Sequence, residues 1–134
     1  MTIILCLDDE NGFMFNRRRQ SRDREVLADV AALSKETTLR VAPYSAPLFA
    51  GMCEPQVSDD FLEAAAAGDV CFAEDRDVTP FLPKAQRIVL YRWNRRYPAD
   101  VRFDTALLDA FHLTGRTDFP GYSHESITRE VYDR

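Results

Sequence analysis

Four carboxylates, one carboxamide and a run of arginines are the side chains of this sequence best suited to polar chemistry. Asp8 and Asp9 follow the apolar run Thr2–Leu7 (TIILCL), Glu74 and Asp75 follow Val70–Ala73 (VCFA), and Asn94 and Arg95 follow Arg87–Trp93 (RIVLYRW). In an open α/β sheet the ligand crevice lies outside the carboxyl ends of the parallel strands. If the three runs are neighbouring strands, these six residues share that edge and suit an ion or a polar small molecule. Arg17, Arg18 and Arg19 lie where a loop would close over it, and planar guanidinium groups pair bidentately with phosphate or carboxylate. The competing reading is a solvated rim, in which each exposed charge pair is worth only ~0–1 kcal/mol.

Other constellations carry less. The carboxylates offer oxygen ligands for Mg²⁺ or Ca²⁺, but their spacing matches no cation-binding loop, so no metal is expected. Arg22 and Arg24 extend the basic run while Asp23 and Glu25 dilute it, as on an ordinary charged surface. Arg92, Trp93, Arg95, Arg96 and Tyr97 form a second basic and aromatic group of the composition that stacks bases, although such aromatics also serve as core and rim packing. His124 beside Glu125 and Ser123 invites an acid–base or nucleophile reading. Neighbours on a strand point to opposite faces, so adjacency alone gives no such geometry.

A chain of 134 residues suffices for one core, and a domain of this size buries roughly two-thirds of its unfolded surface. The net charge of −5 argues against a general nucleic-acid footprint. Among 17 basic residues only Lys35 and Lys84 are lysine, a skew of composition rather than of function. Cys6, Cys53 and Cys71 lack metal-ligand spacing and read as reduced structural thiols. No stretch approaches the ~20 apolar residues of a membrane span, and Met1–Asp9 lacks the pattern of a signal peptide. A cytoplasmic protein is expected.

The elements that must position these groups follow in order. Arg87–Asn94 carries apolar side chains on both faces, which requires cover on both and places it inside a sheet flanked by helices. Thr2–Leu7 reads as a second central strand, ended by the Asn11-Gly12 turn pair. Phe13–Gln20 reads as a shaped loop. Ser21 is positioned to cap a helix with Asp23 in its first turn and Val26, Val30 and Leu33 at helical spacing, ending near Ser34 or Lys35. Thr38–Ala42 is a short strand, Pro43 and Pro47 keep Tyr44–Phe49 out of an interior ladder, and Ala50–Val57 connects. Asp59 caps a predicted helix over Asp60–Ala67 with Gly68 as its left-handed stop. Val70–Ala73 is a strand, Asp77–Leu82 a helical turn, and Ala110–Thr114 and Ser126–Tyr132 two further extended segments. No repeat or linker divides the chain, so a single α/β domain with a mixed, mainly parallel sheet, flanking helices and a C-terminal antiparallel hairpin is expected.

This order of elements resembles a shortened dihydrofolate reductase. Leu7–Gly12 (LDDENG) is similar to the end of that family's first strand and its turn, and Thr38–Phe49 to its second strand with the following segment. Val57–Asn94 follows the family's capped helix, short strand, proline-bearing link and long strand, and Phe111–Tyr132 its closing hairpin. The resemblance makes Asp23 the nearest match to the family's substrate carboxylate. It departs where the family sets paired glycines against the cofactor pyrophosphate, because this chain has Ala73, Glu74 and Asp75 there, and carboxylates repel phosphate. The proline-tryptophan pair of the family's first loop is missing from Phe13–Gln20, and Pro43–Ala46 lacks its glycine-and-basic phosphate contact. The N-terminal string DDENGFMFNRRRQSRDR also resembles small bacterial proteins labelled ribonuclease Z. The HxHxDH motif of that enzyme is absent, and His112 and His124 cannot build its zinc site.

The expectation is therefore a noncatalytic protein that binds an anionic small molecule or a protein partner on a reductase-like scaffold, with no cofactor. The alternative is an enzyme acting on a nucleotide-like or phosphorylated small molecule through Arg17–Arg19. On either reading, replacing all three arginines by alanine should leave the protein folded.

Overall fold

The computed structural model describes residues 1–134. Ten strands and one α-helix follow the chain as β1 (Thr2–Leu7), β2 (Gly12–Phe15), β3 (Arg18–Arg19), α1 (Arg24–Leu33), β4 (Leu39–Val41), β5 (Gln56–Val57), β6 (Val70–Phe72), β7 (Arg87–Arg92), β8 (Val101–Arg102), β9 (His112–Phe119) and β10 (Ile127–Asp133). Three 3-10 helices lie between them, at Ala46–Phe49, Thr79–Lys84 and Thr105–Ala110. The main sheet has seven strands in the order β5-β4-β6-β1-β7-β10-β9. Its β5 to β7 portion is parallel, and β10 and β9 close it as an antiparallel hairpin. A second sheet of three short strands, β3-β2-β8, sits beyond the end of β1. No helix is long and apolar enough to cross a membrane.

The two-sided apolar pattern has its expected consequence. In register, Ile3 lies beside Cys71 and Ile88, and Leu5 beside Leu90. This face packs under Phe61, Leu62, Leu82, Phe103 and Phe111. Ile4, beside Phe72 and Val89, faces the other way with Tyr91, and is covered by Val26 and Val30 of α1 and by Phe49. Each fully buried side chain of this size contributes about 1.5–3 kcal/mol. Leu33, placed in the apolar set of the helix by its spacing, is instead 41% exposed, because α1 ends there and Ser34 turns back to cap Val30.

Several expectations about local structure need correction. Asp60–Ala67 forms no α-helix. It is a series of turns in which Phe61 and Leu62, adjacent in sequence, are both fully buried. A segment this short has little helical stability of its own, and the Asp69 side chain takes the Ala66 N–H at 2.8 Å while pairing with Arg40. Gly68 does adopt the left-handed conformation, at φ 86°. Phe13–Gln20 is a hairpin rather than a loop: β2 and β3 are joined through Asn16 and Arg17, at φ 53° and 61°, the paired positive values of a two-residue type I′ turn. The cap of α1 is Asp23, not Ser21, since the Asp23 carboxylate accepts the Glu25 N–H at 2.9 Å. The Ala50–Val57 connection ends in β5, and β9 runs to Phe119, well past Thr114.

Candidate functional site

The carboxyl ends of β6, β1 and β7 do bring the predicted residues to one edge, where most of them are bound to one another or to backbone. Asp8 is 1% exposed. Its Oδ1 accepts the N–H groups of Glu10 (2.9 Å) and Gly12 (2.8 Å), and its Oδ2 those of the Gln20 amide and Tyr97 backbone, both at 3.1 Å. Asp8 therefore fastens the start of β2 to the Asn94–Asp100 loop. Asp9 is exposed, its backbone N–H donating to the Arg95 carbonyl at 3.1 Å. Asn94, at φ 55°, donates its amide to Thr128 Oγ1 (2.9 Å) and the Ser126 carbonyl (3.2 Å). Asp75 pairs with Arg76 at 2.9 Å.

Glu74, like Asp8, is buried. It accepts a forked pair of bonds from Arg19, Nε and Nη2 lying 3.0 and 2.7 Å from its oxygens, and a third from Ser45 Oγ at 2.8 Å. Arg19 also lies over the Tyr44 ring, 4.2 Å from its centroid. Burial alone would lower the Arg19 guanidinium, but Glu74 outweighs it and holds the group above its ordinary value. The arginine run is thus divided: Arg19 is anchored to Glu74, whereas Arg17 and Arg18 are exposed at the hairpin tip.

Asp23 and His124 form the feature that sequence adjacency hid. Asp23 is buried at the start of α1 and accepts the backbone N–H groups of Tyr122 (2.9 Å), Ser123 (2.9 Å) and His124 (3.1 Å), and the His124 ring Nδ1 at 2.9 Å. Burial pushes its carboxyl upward, but these donors, with Glu25 N–H, outweigh burial and hold it well below the usual carboxylate range. The His124 ring stacks on Trp93 with centroids 4.6 Å apart. Its Nε2 faces Tyr97 Oη at 2.8 Å and Ser21 Oγ at 3.2 Å. Glu125 takes no part, and Ser123 Oγ reaches the Asp23 carboxylate at 3.2 Å and the ring Nδ1 at 3.4 Å. The closer partners of the ring, Asp23, Tyr97 and Ser21, are all far away in sequence.

The series Asp23, His124, Ser21 has the order of an orienting acid, a base and a hydroxyl nucleophile. Its hydrogen bonding is different. An ionised carboxylate only accepts, so Nδ1 carries a proton and a neutral ring offers one lone pair at Nε2. Tyr97 lies nearer that lone pair than Ser21 does, and the Tyr97 hydroxyl is also within 3.3 Å of Ser21. The geometry therefore locks the Arg22–Asp23 junction to the Tyr122–His124 turn and the Tyr97 loop.

Between α1 and the strand ends, Cys6, Asp23, Leu27, Phe72, Glu74 and Trp93 enclose a cavity with only about 10 Å³ of free space, the size of one water. Burial, then the Glu74 and Asp23 carboxylates, push the Cys6 thiol well above its ordinary value. No grouping of three His, Cys, Asp or Glu side chains is disposed to hold a metal ion. The chain matches no protein-family model and no curated protein sequence.

Proposed function

We propose that this protein is a noncatalytic small-ligand-binding protein on a degenerate dihydrofolate-reductase-like scaffold. The carrying observation is that the cavity between α1 and the carboxyl ends of β6, β1 and β7, on the edge where such a scaffold takes its ligands, is closed down by its own side chains to the size of one water. Support for the scaffold comes from the parallel β5-β4-β6-β1-β7 array closed by the β10–β9 hairpin. Asp23, which the resemblance aligns with a substrate carboxylate, meets six protein donors instead, four backbone N–H groups, the Ser123 hydroxyl and the His124 ring. By the same resemblance Glu74 corresponds to the position where that family sets glycine backbone against the cofactor pyrophosphate, and here its charge is matched by Arg19.

Calorimetric titration with NADPH, followed by an assay of dihydrofolate reduction, tests the reading. Neither measurable NADPH binding nor turnover is expected. Tight NADPH binding accompanied by hydride transfer would show that the crevice opens, and the proposal would fall.

A further inference from the structure

The small β3-β2-β8 sheet and the Asn94–Asp100 loop enclose an open groove of about 500 Å³ between Glu10, Phe15, Arg96, Tyr97 and Arg102. This volume lies within the ordinary range for small-molecule sites. We infer that the groove takes a nucleoside monophosphate, with the phosphate on Arg96 and Arg102 and the base against Phe15 and Tyr97. The inference rests on the reading of the protein as a ligand-binding one and supplies the ligand class.

Charge and shape both lead there. Arg96 and Arg102 converge on the single carboxylate of Glu10, at 3.3 and 4.0 Å, so two guanidinium groups share one acid in loose contacts and leave one positive charge unmatched. Arg19, Arg40, Arg76, Arg87, Arg92 and Arg129 each hold an acidic partner at 3.2 Å or less, and the remaining seven arginines form no ion pair, so what sets Arg96 and Arg102 apart is that both flank one groove and share one carboxylate there. A phosphate offers these two forks a bidentate match that Glu10 does not give them. Once displaced, Glu10 is an acceptor for a sugar hydroxyl.

Phe15 is 47% exposed, an unusual position for a phenyl ring in a chain that buries most of its aromatics. Every base has an aromatic face that such a ring accepts, while the phosphate contact selects charge rather than sequence. The groove is also preorganised. Asp8 binds the backbone of Glu10 and Tyr97 at once, and Tyr97 Oη is held by His124, so both sides of the groove are fixed to the core. A rigid groove spares a ligand the entropy of ordering it.

Calorimetry of the full chain with AMP, inorganic phosphate and adenosine tests the assignment. AMP should bind at least about tenfold more tightly than either fragment, with affinity falling as salt rises. Arg96→Ala/Arg102→Ala and, separately, Phe15→Ala should each weaken AMP by about tenfold or more without shifting the melting temperature, and Glu10→Gln should strengthen it. Should the double variant fail to fold, Arg96→Gln, whose side chain is three-quarters exposed in the wild type, provides the same comparison. Unchanged AMP affinity in the folded arginine variants, or no binding of AMP, GMP, CMP or UMP at millimolar concentration, would overturn the site. Tighter capture of a short single-stranded oligonucleotide than of any mononucleotide would overturn the ligand class. NADPH turnover with AMP binding still dependent on Arg96 and Arg102 would remove the noncatalytic reading and leave the groove standing.

Discussion

The Asp23 carboxylate and the His124 imidazole meet at 2.9 Å across 101 residues of sequence, with almost no solvent at either side chain. Asp23 is at once the cap of α1 and the anchor of the turn that leads into β10, so one carboxylate couples the only α-helix to the closing hairpin. Removing one member of a buried, hydrogen-bonded pair leaves the other unmatched, at a cost of about 3–5 kcal/mol. Asp23→Ala should lose at least that much stability in urea unfolding, since it also strips the helix cap. His124→Ala should lose less, about 2–3 kcal/mol, because the backbone donors to Asp23 remain. Equal, small losses from both would mean that the pair does not tie helix to hairpin.

The same carboxylate gives the protein a defined acid sensitivity. Its folded-state value lies below that of an unfolded aspartate, about 3.9, so the folded protein binds fewer protons and the unfolded state is favoured by acid. The stability it contributes is complete above the unfolded value and is lost progressively as the pH falls below it toward the folded one. Wild-type unfolding free energy should decline through this window, and Asp23→Asn should decline less steeply while being less stable at neutral pH. Parallel pH profiles for the two proteins would show that Asp23 is not the group responsible.

Residues close in sequence carried the fold much further than they carried the site. The apolar runs at Thr2–Leu7 and Arg87–Arg92 needed cover on both faces whatever they packed against, so the central strands and the α/β class were legible from side-chain type alone. The edge bearing Asp8, Glu74 and Asn94 followed from the strand ends. Their partners did not follow, because Arg19–Glu74 and Asp23–His124 span 55 and 101 residues and depend on which loops fold inward. The failed helix at Asp60–Ala67 has a related cause. Its capping residue and left-handed glycine were real local signals, but burial of both Phe61 and Leu62 and capture of the Ala66 N–H by Asp69 decided the backbone.

Arg17, Arg18 and Arg19 are equivalent as a string and unequal in space. Arg19→Ala leaves Glu74, 8% exposed at its side chain, with only Ser45 for company, and should destabilise the protein by about 3 kcal/mol. Arg17→Ala/Arg18→Ala removes charges from an exposed hairpin tip and should change stability by no more than about 0.5 kcal/mol. The triple substitution should therefore behave like Arg19→Ala alone, against the expectation that all three arginines are dispensable for folding. Arg19→Ala/Glu74→Gln should recover part of the loss by removing the stranded charge, and a double-mutant cycle showing no coupling would place the stability elsewhere.

Two glycines offer the sharpest test of how tightly the Asp23 turn is built. A Cβ at Gly121 would stand 2.6 Å from the His124 carbonyl oxygen and 2.7 Å from Asp23 Oδ2, and the carbonyl belongs to backbone that is itself bonded to Asp23. Neither neighbour can withdraw without breaking the turn, so Gly121→Ala should cost about 2–4 kcal/mol, at the upper end of overpacking changes. At Gly115, in β9, a Cβ would meet only Val131 side-chain atoms at 3.7 and 3.8 Å, ordinary contact distances. There the lower backbone entropy of alanine in the unfolded chain acts without a steric penalty, and Gly115→Ala should be neutral or stabilising by up to about 1 kcal/mol. Thermal unfolding of the two variants side by side decides the matter. If Gly121→Ala melts with the wild type, the Tyr122–His124 turn is free to move away from Asp23, and the rigid junction of helix, hairpin and imidazole described above does not exist.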